Sequence, residues 1–430
     1  PNFASGAKKL PTRTLMMAFW MLCRAGSHAA VLGAGATLPA RLYAEATFAY
    51  RAAGVASTYE GVGSGEGIRL LKGEEPVDFV GCDANLTAED YADVPDLVMY
   101  PALATAVVPA YHVPGVRRLV LSRRVLSMIF LGDIRYWNDT SISELNPDIE
   151  LPCHEITVVV RSDVSGTTES FTKALAAFNQ SFEGLIGRSS LPDWSKGRAQ
   201  YKESHLNKGV VSILTVVAYT VGYVVLADAV ANDLDYARID DSSGNYIEAS
   251  ETTVRLAMAE RGNDLVRNPT VAVDLVDPRG QGAWPIAGLT YFVLRRNDTK
   301  DDCRLRRDTV EFLQWYYTSD IIERRIFHRY DSFVALPSIA SGVVATALAA
   351  DVLCANGLPA ANTSAEEEEE RIVRVWTPQV TLGVFFFLSS MYAEVESDVT
   401  IANIPYDPNM MLRIPEGDLF ITSFQLSPEL

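Results

Sequence analysis

The sequence predicts an α/β fold built on parallel sheets, and two observations predict it. The β-branched run Ile156-Thr157-Val158-Val159-Val160 reads as a buried strand, and a helical pattern, Glu169 to Phe178, follows across a short turn. Strand-like and helix-like stretches alternate along the chain with crossover-length connections, the pattern of βαβ units. No internal repeat breaks the alternation.

Each element follows from its own residues. Lys8, Lys9 and Arg13 precede the apolar run Leu15 to Cys23, and Ser27-His28-Ala29 resembles a cleavage box. Residues 1–30 therefore read as a secretory signal, since the run is too short to span a bilayer. The apolar pair Val31-Leu32 leads into Gly33-Ala34-Gly35-Ala36-Thr37-Leu38-Pro39, with Pro39 placed to open a helix over Ala40 to Tyr50. Gly61-Val62-Gly63-Ser64-Gly65-Glu66-Gly67 opens a second helix at Ile68. Pro76 to Gly81 reads as a strand ending at Asp83, and Leu97 to Val108 is a long apolar run interrupted by proline. Ser122 to Phe130 has helical spacing, with a turn at Ile134 to Asn138. The polar residues 183–208 read as loop and short helix. Gly209 to Ala218 reads as helix, Val221 to Leu226 as strand, and Ser250 to Glu260 as a helix capped by Ser250 with Thr253. Pro285 to Leu294 is a strand, and Asp308 to Thr318 and Ser338 to Ala349 are helices. Residues 361–371 hold five consecutive glutamates and read as a solvated linker. Residues 372–430 read as β-strands of a second module or a fragment of one.

Composition bounds the partners. At 430 residues, 48% hydrophobic and 21% charged, the chain can bury large cores. A net charge of −17 argues against nucleic acid and anionic membrane surfaces. It does not exclude a small anion, because surface charge is screened within about 8 Å at physiological salt. Cys82, Cys153, Cys303 and Cys354 fit no zinc spacing, and the five histidines are scattered, so no metal is expected. Cys82 reads as a buried free thiol, and an exported location would permit a Cys303–Cys354 bridge. Asn85, Asn138, Asn179, Asn297 and Asn362 lie in sequons that would accept glycan only in a eukaryotic secretory pathway.

The chemistry concentrates at turns. Arg161-Ser162-Asp163-Val164-Ser165-Gly166-Thr167-Thr168 joins a strand to a helix. A helix N-terminus leaves N–H groups unpaired and carries partial positive charge, so hydroxyls and an arginine beside it suit an oxyanion. Taken alone, the segment is explained equally well by a Ser165 or Thr167 cap and an Arg161–Asp163 pair. The two glycine turns add hydroxyl-bearing helix starts, and neither is a P-loop or a dinucleotide fingerprint. Three such turns in one chain point to one anion held by several helix N-termini.

GAGATLPARLY, GVGSGEGI, VDFVGCDANLT, FLGDIRYWND and RSDVSGTTESF, followed by TVGYVVLADA, AWPIAGLTYFVL and EFLQWYYT, resemble the ordered motifs of the periplasmic and extracellular phosphate-binding proteins of high-affinity phosphate transporters. The resemblance covers Val31 to Ala349. It implies a two-lobed Venus-flytrap fold (type II) with a hinge, extended by the β-rich C-terminal segment. Lobe I would hold residues 31–103 and 285–360, and lobe II residues 104–284. The ligand set it implies is Ala36, Thr37, Leu38, Ser64, Asp83, Arg161, Ser165, Gly166 and Thr167, with Asp163 orienting Arg161. Ala36 and Gly166 would offer only backbone N–H groups. Transporter members usually carry Phe where Leu38 stands, a change that a backbone contact survives. Asp83 would accept a hydrogen bond from the proton that phosphate still carries and sulfate lacks.

The implied function is binding of inorganic phosphate, without cofactor, by a monomer outside the cytoplasm, for uptake through a membrane permease. The lobes would close on the anion. The linker and C-terminal segment favour an alternative, a phosphate-sensing or adhesive ectodomain. A phosphoryl-transfer enzyme with Ser165 as nucleophile lacks a base in the motif.

Overall fold

The computed structural model describes residues 30–361 apart from 74–75, 298–301, 328 and 330–331. The signal-like segment, the glutamate run and the β-rich C-terminal segment fall outside the described residues. Among the described residues ten strands form the large sheet: β1 (Val31–Gly35), β2 (Ser57–Gly61), β3 (Phe79–Cys82), β4 (Leu97–His112), β5 (Thr157–Arg161), β6 (Gln200–Ser204), β7 (Thr220–Val225), β8 (Ala287–Arg295), β9 (Phe333–Ala335) and the two-residue strand Asp235–Tyr236. Their order is β2-β1-β3-β8-β4-β7-β5-β6, with β9 and the short pair Asp235–Tyr236 also bonded to β4.

β4 organises the molecule. Its residues are buried on both faces up to Tyr111, which explains why the sequence shows an unbroken apolar run rather than alternation. Residues Leu97–Ala106 pair with β8, and Val107–His112 pair with β7, so one strand runs through two sheet regions. We call these the first and second lobes. β8 returns antiparallel to β4 and also pairs with β3. The expectation of parallel sheets is therefore corrected to mixed ones. β2-β1-β3 and β7-β5-β6 are parallel, and the two crossing strands run antiparallel to their neighbours. Pro101 interrupts β4 without ending it: the register with β8 shifts there, and the Tyr317 hydroxyl donates to the Pro101 carbonyl at 2.8 Å.

Helices cover the sheet regions. In α1 (Ala40–Tyr50), Leu42, Tyr43, Ala46, Thr47 and Tyr50 form one buried stripe. α2 (Ser64–Lys72) and α3 (Gly166–Phe178) open at the anion turns, and α4 (Leu206–Val216) packs on β5 and β7. Aromatic clusters consolidate both lobes, Tyr43, Phe79, Phe292 and Phe312 in the first and Phe130, Phe171, Trp194 and Tyr223 in the second. The helix Glu251–Glu260 carries the reciprocal Ser250–Thr253 capping box its sequence predicts. The region 183–208 holds more order than a loop: β6 is an edge strand, and α4 begins at Leu206. QYKES lacks the apolar signature because an edge strand faces water. Cys303 and Cys354 form a disulfide, with Cα atoms 5.1 Å apart; Cys82 is free and buried, and Cys153 is free and exposed.

Candidate anion-binding site

The site is assembled where parallel strands end and helices begin. Asp83 follows directly on β3. At the end of β1, Gly35 has φ +124°, and a Cβ there would lie 2.2 Å from the Gly81 carbonyl oxygen. Only glycine meets both demands, so it lets the turn into α1 pass close against β3. α2 starts at Ser64 with no side chain capping it, which leaves its leading N–H groups to other partners. α3 is capped by Ser165, whose Oγ accepts the Thr168 N–H at 3.2 Å and keeps its own O–H available.

The turns from the two lobes meet. Ser64 Oγ accepts the Asp83 N–H at 3.2 Å. A Cβ on Gly166 would stand 2.1 Å from the Asp83 carbonyl carbon, so the first residue of α3 presses directly on Asp83. Beside it, Gly65 abuts Val164, and the Asn85 N–H donates to Glu169 Oε2 at 3.3 Å. Thr37 packs against Gly61 at the first-lobe side.

Arg161 is 3% exposed and is held on three sides. Its Nε and Nη2 donate to Asp163 at 2.8 and 2.5 Å, and its Nη1 donates to Asn207 Oδ1. Its backbone N–H donates to the Tyr223 hydroxyl at 3.1 Å, which also bonds Thr168 at 2.8 Å. A guanidinium has five N–H donors. Among the described residues three are taken, which leaves one N–H on each terminal nitrogen for an oxyanion. Burial would push the Asp163 carboxyl up, but the bonds from Arg161 outweigh it and hold the group below the usual range. Asp163 stays ionised and balances Arg161.

Asp83 is the opposite case. Burial pushes its carboxyl up to about 8, against the pull of Arg161. The residue retains some surface, yet its Oδ1 is fully buried and meets no hydrogen-bond partner among the described residues. A buried carboxyl oxygen with no partner costs about 1–3 kcal/mol, so the arrangement calls for a donor.

The sequence profile of the PBP superfamily domain matches residues 24–320. The phosphate-binding protein PstS of Xylella fastidiosa (strain 9a5c) is 30% identical over 310 residues, which span 71% of this chain and 81% of that protein. The chain belongs to the phosphate-binding protein family. PstS of Haemophilus influenzae is 29% identical over 291 residues, 67% of this chain and 84% of that one. Among solved structures, the phosphate-bound periplasmic protein PfluDING superposes with a TM-score of 0.59 at 21% identity, covering 74% of this chain and 94% of that one. A DING protein gives 0.57 at 23% identity, covering 77% and 99%. At these identities the solved structures speak for the fold.

Within this family member, Ser64, Asp83, Arg161, Ser165, Gly166 and Thr167 are buried or partly buried; Ser64 and Gly166 both contact Asp83, and Thr37 packs on Gly61 in the turn before α2. Ala36 is a correction. Its N–H donates to the Gly81 carbonyl at 2.7 Å, so that donor is spent within the sheet edge. Leu38 has its side chain in the core, leaving only its backbone for the cleft. Asn207 and Tyr223, which grip Arg161, were not among the expected residues. Asn207 sits in a polar stretch with no local distinction, and Tyr223 sits inside a buried strand where it reads as core. Only their spatial convergence on Arg161 marks them.

Proposed function

We propose that the chain binds inorganic phosphate in the interlobe cleft, outside the cytoplasm, and delivers it to a membrane permease for uptake. The observation that carries this reading is Asp83 Oδ1, a buried carboxyl oxygen that meets no partner among the described residues, in the field of the Arg161 guanidinium, which has two N–H groups unused among the same residues. An anion that shares one proton with Asp83 satisfies it. Phosphate near neutrality brings such a proton, and sulfate brings none. Thr37, Ser64, Ser165 and Thr167 supply hydroxyls, and the α2 and α3 starts supply N–H groups. No step makes or breaks a covalent bond. PstS by name, and PfluDING by its bound phosphate, support the ligand.

Calorimetric titration of the phosphate-stripped protein tests it. Phosphate is expected to bind tightly and sulfate weakly or not at all at alkaline pH. Arg161→Ala should weaken phosphate by about 100-fold or more, the loss of two charge-assisted hydrogen bonds. Equal binding of both anions, or of neither, would overturn the assignment.

A further inference from the structure

The second glycine turn belongs to the first lobe and receives side chains of the second. The Val62 and Gly63 N–H groups both donate to the Gly35 carbonyl at 2.8 Å, which fixes the turn to the end of β1. Gly63 and Gly65 stand on either side of Ser64 and present bare backbone. A Cβ on Gly63 would lie 3.3 Å from Leu206 Cδ2, and one on Gly65 would lie 2.7 Å from the Val164 Cβ. The backbone of Gly63 requires glycine by itself, with φ +97°. That of Gly65 does not. It lies inside α2 without a left-handed angle, where alanine is the better helix former. What a side chain at Gly65 would meet is Val164, from the other lobe.

Both apolar side chains are tied to Arg161. Val164 lies in the same turn, between Asp163 and Ser165. Leu206 opens α4 in the left-handed region, at φ +58°, a conformation that strains a residue with a side chain. Its N–H donates to Asp163 Oδ1 at 3.0 Å, and the same oxygen accepts the Arg161 Nε–H at 2.8 Å. Asp163 Oδ2 lies 3.6 Å from where a Gly63 Cβ would stand. One carboxylate therefore fixes the guanidinium and the Leu206 backbone together, facing the turn that carries Ser64. We propose that Val164 and Leu206 are positioning residues: they seat on Gly65 and Gly63 when the lobes meet, hold Ser64 of one lobe in register with Arg161 of the other, and set how long the bound anion stays. Neither acts by touching the anion. The inference rests on the cleft being a phosphate site. These contacts join residues of different lobes, so they favour the closed form alone, and their loss speeds release rather than slowing capture.

The test follows phosphate capture and release by stopped flow, and stability by urea unfolding without phosphate. Gly65→Ala should speed release about tenfold and leave capture within about twofold of the wild type, because its methyl group has no room once the lobes meet. The same variant should be no less stable than the wild type without phosphate, since alanine favours the α2 helix. A purely structural role would lower stability along with affinity. Val164→Gly removes the obstacle. It should itself weaken phosphate about fivefold, and in its background Gly65→Ala should cost less than about twofold. Leu206→Gly removes the second side chain and relieves its backbone, so release should quicken about fivefold with phosphate-free stability little changed. A Gly65→Ala cost that persists in full beside Val164→Gly, or losses confined to stability, would overturn the proposal. Should the wild type bind no phosphate, the site reading fails, and the contact is decided on its own. Gly65→Cys combined with Val164→Cys, mildly oxidised, should then yield the interlobe disulfide in peptide mass mapping, and its absence overturns the contact.

Discussion

At Asp83, burial and charge pull against each other, and the carboxyl titrates at about 8 rather than in the usual acidic range. The folded state thus holds this proton more tightly than the unfolded chain. The contribution of Asp83 to stability is full below the ordinary carboxyl pKa and is lost as pH rises towards 8. Asp83→Asn removes that dependence. In phosphate-free urea unfolding, the variant should match the wild type at about pH 4 and exceed it by about 2 kcal/mol at about pH 8. The same residue sets anion choice. Protonated Asp83 can donate to any oxyanion, whereas ionised Asp83 repels one that brings no proton. Wild-type sulfate affinity should therefore rise as pH falls through about 8, and Asp83→Asn should bind sulfate across the range; a flat sulfate profile in the wild type would contradict this. Asp83, Arg161 and Ser165 were legible in the sequence because each stands in a strand-to-helix turn whose chemistry is local. Ala36 was misread because its N–H partner, Gly81, lies on a neighbouring strand.

At the scale of elements, α3 is a lobe contact, and the proposed site makes it an anion donor as well. Its first residue has no room for a methyl group, since a Cβ on Gly166 would sit 2.1 Å from the Asp83 carbonyl carbon. That contact crosses the cleft and exists only when the lobes meet. Gly166→Ala should therefore cost phosphate affinity at least about tenfold while moving the ligand-free melting temperature by only about 1 °C. A large fall in ligand-free stability would place the contact inside a single lobe. The disulfide ties the start of the Cys303–Thr318 helix to the chain after the Ser338–Asp351 helix, closing a separation of 51 residues. The chain-entropy account assigns such a loop about 4 kcal/mol, so replacing both cysteines by serine should lower the melting temperature by about 10 °C, read by calorimetry. Phosphate affinity should be unchanged, because no cysteine of the pair touches the cleft residues. The helix starts were readable from Pro39, Ser165 and Ser250; the second helix, expected from Ile68, begins four residues earlier at Ser64, inside the glycine turn. β6 was not, since a polar edge strand has no apolar period to read.

At the scale of the whole molecule, the chain passes between lobes through β4 and comes back through β8, so the lobes share continuous backbone rather than a loose tether. Net charge works against the ligand at long range. With −17 on the chain and negative charge on phosphate, the encounter is between like charges. Stopped-flow association should accelerate as salt rises towards about 0.15 M, while dissociation, governed by buried local donors, should change little. Association that slows with salt would mean a positive field at the cleft mouth outweighs the net charge.

By itself the sequence determined the strand–turn–helix units, the residues that terminate them, and the hydroxyls, arginine and aspartate placed at those ends, because these follow from propensity and capping within a few residues. It also determined the long apolar crossing strand, since burial on both faces leaves a run without alternation. Only the tertiary structure decided that the Ala36 N–H is consumed. It alone decided that Asp83 keeps a carboxyl oxygen without a partner among the described residues, and that Asn207 and Tyr223 hold Arg161. Each of those depends on groups brought together from distant parts of the chain, and no local period or cap encodes where such groups meet.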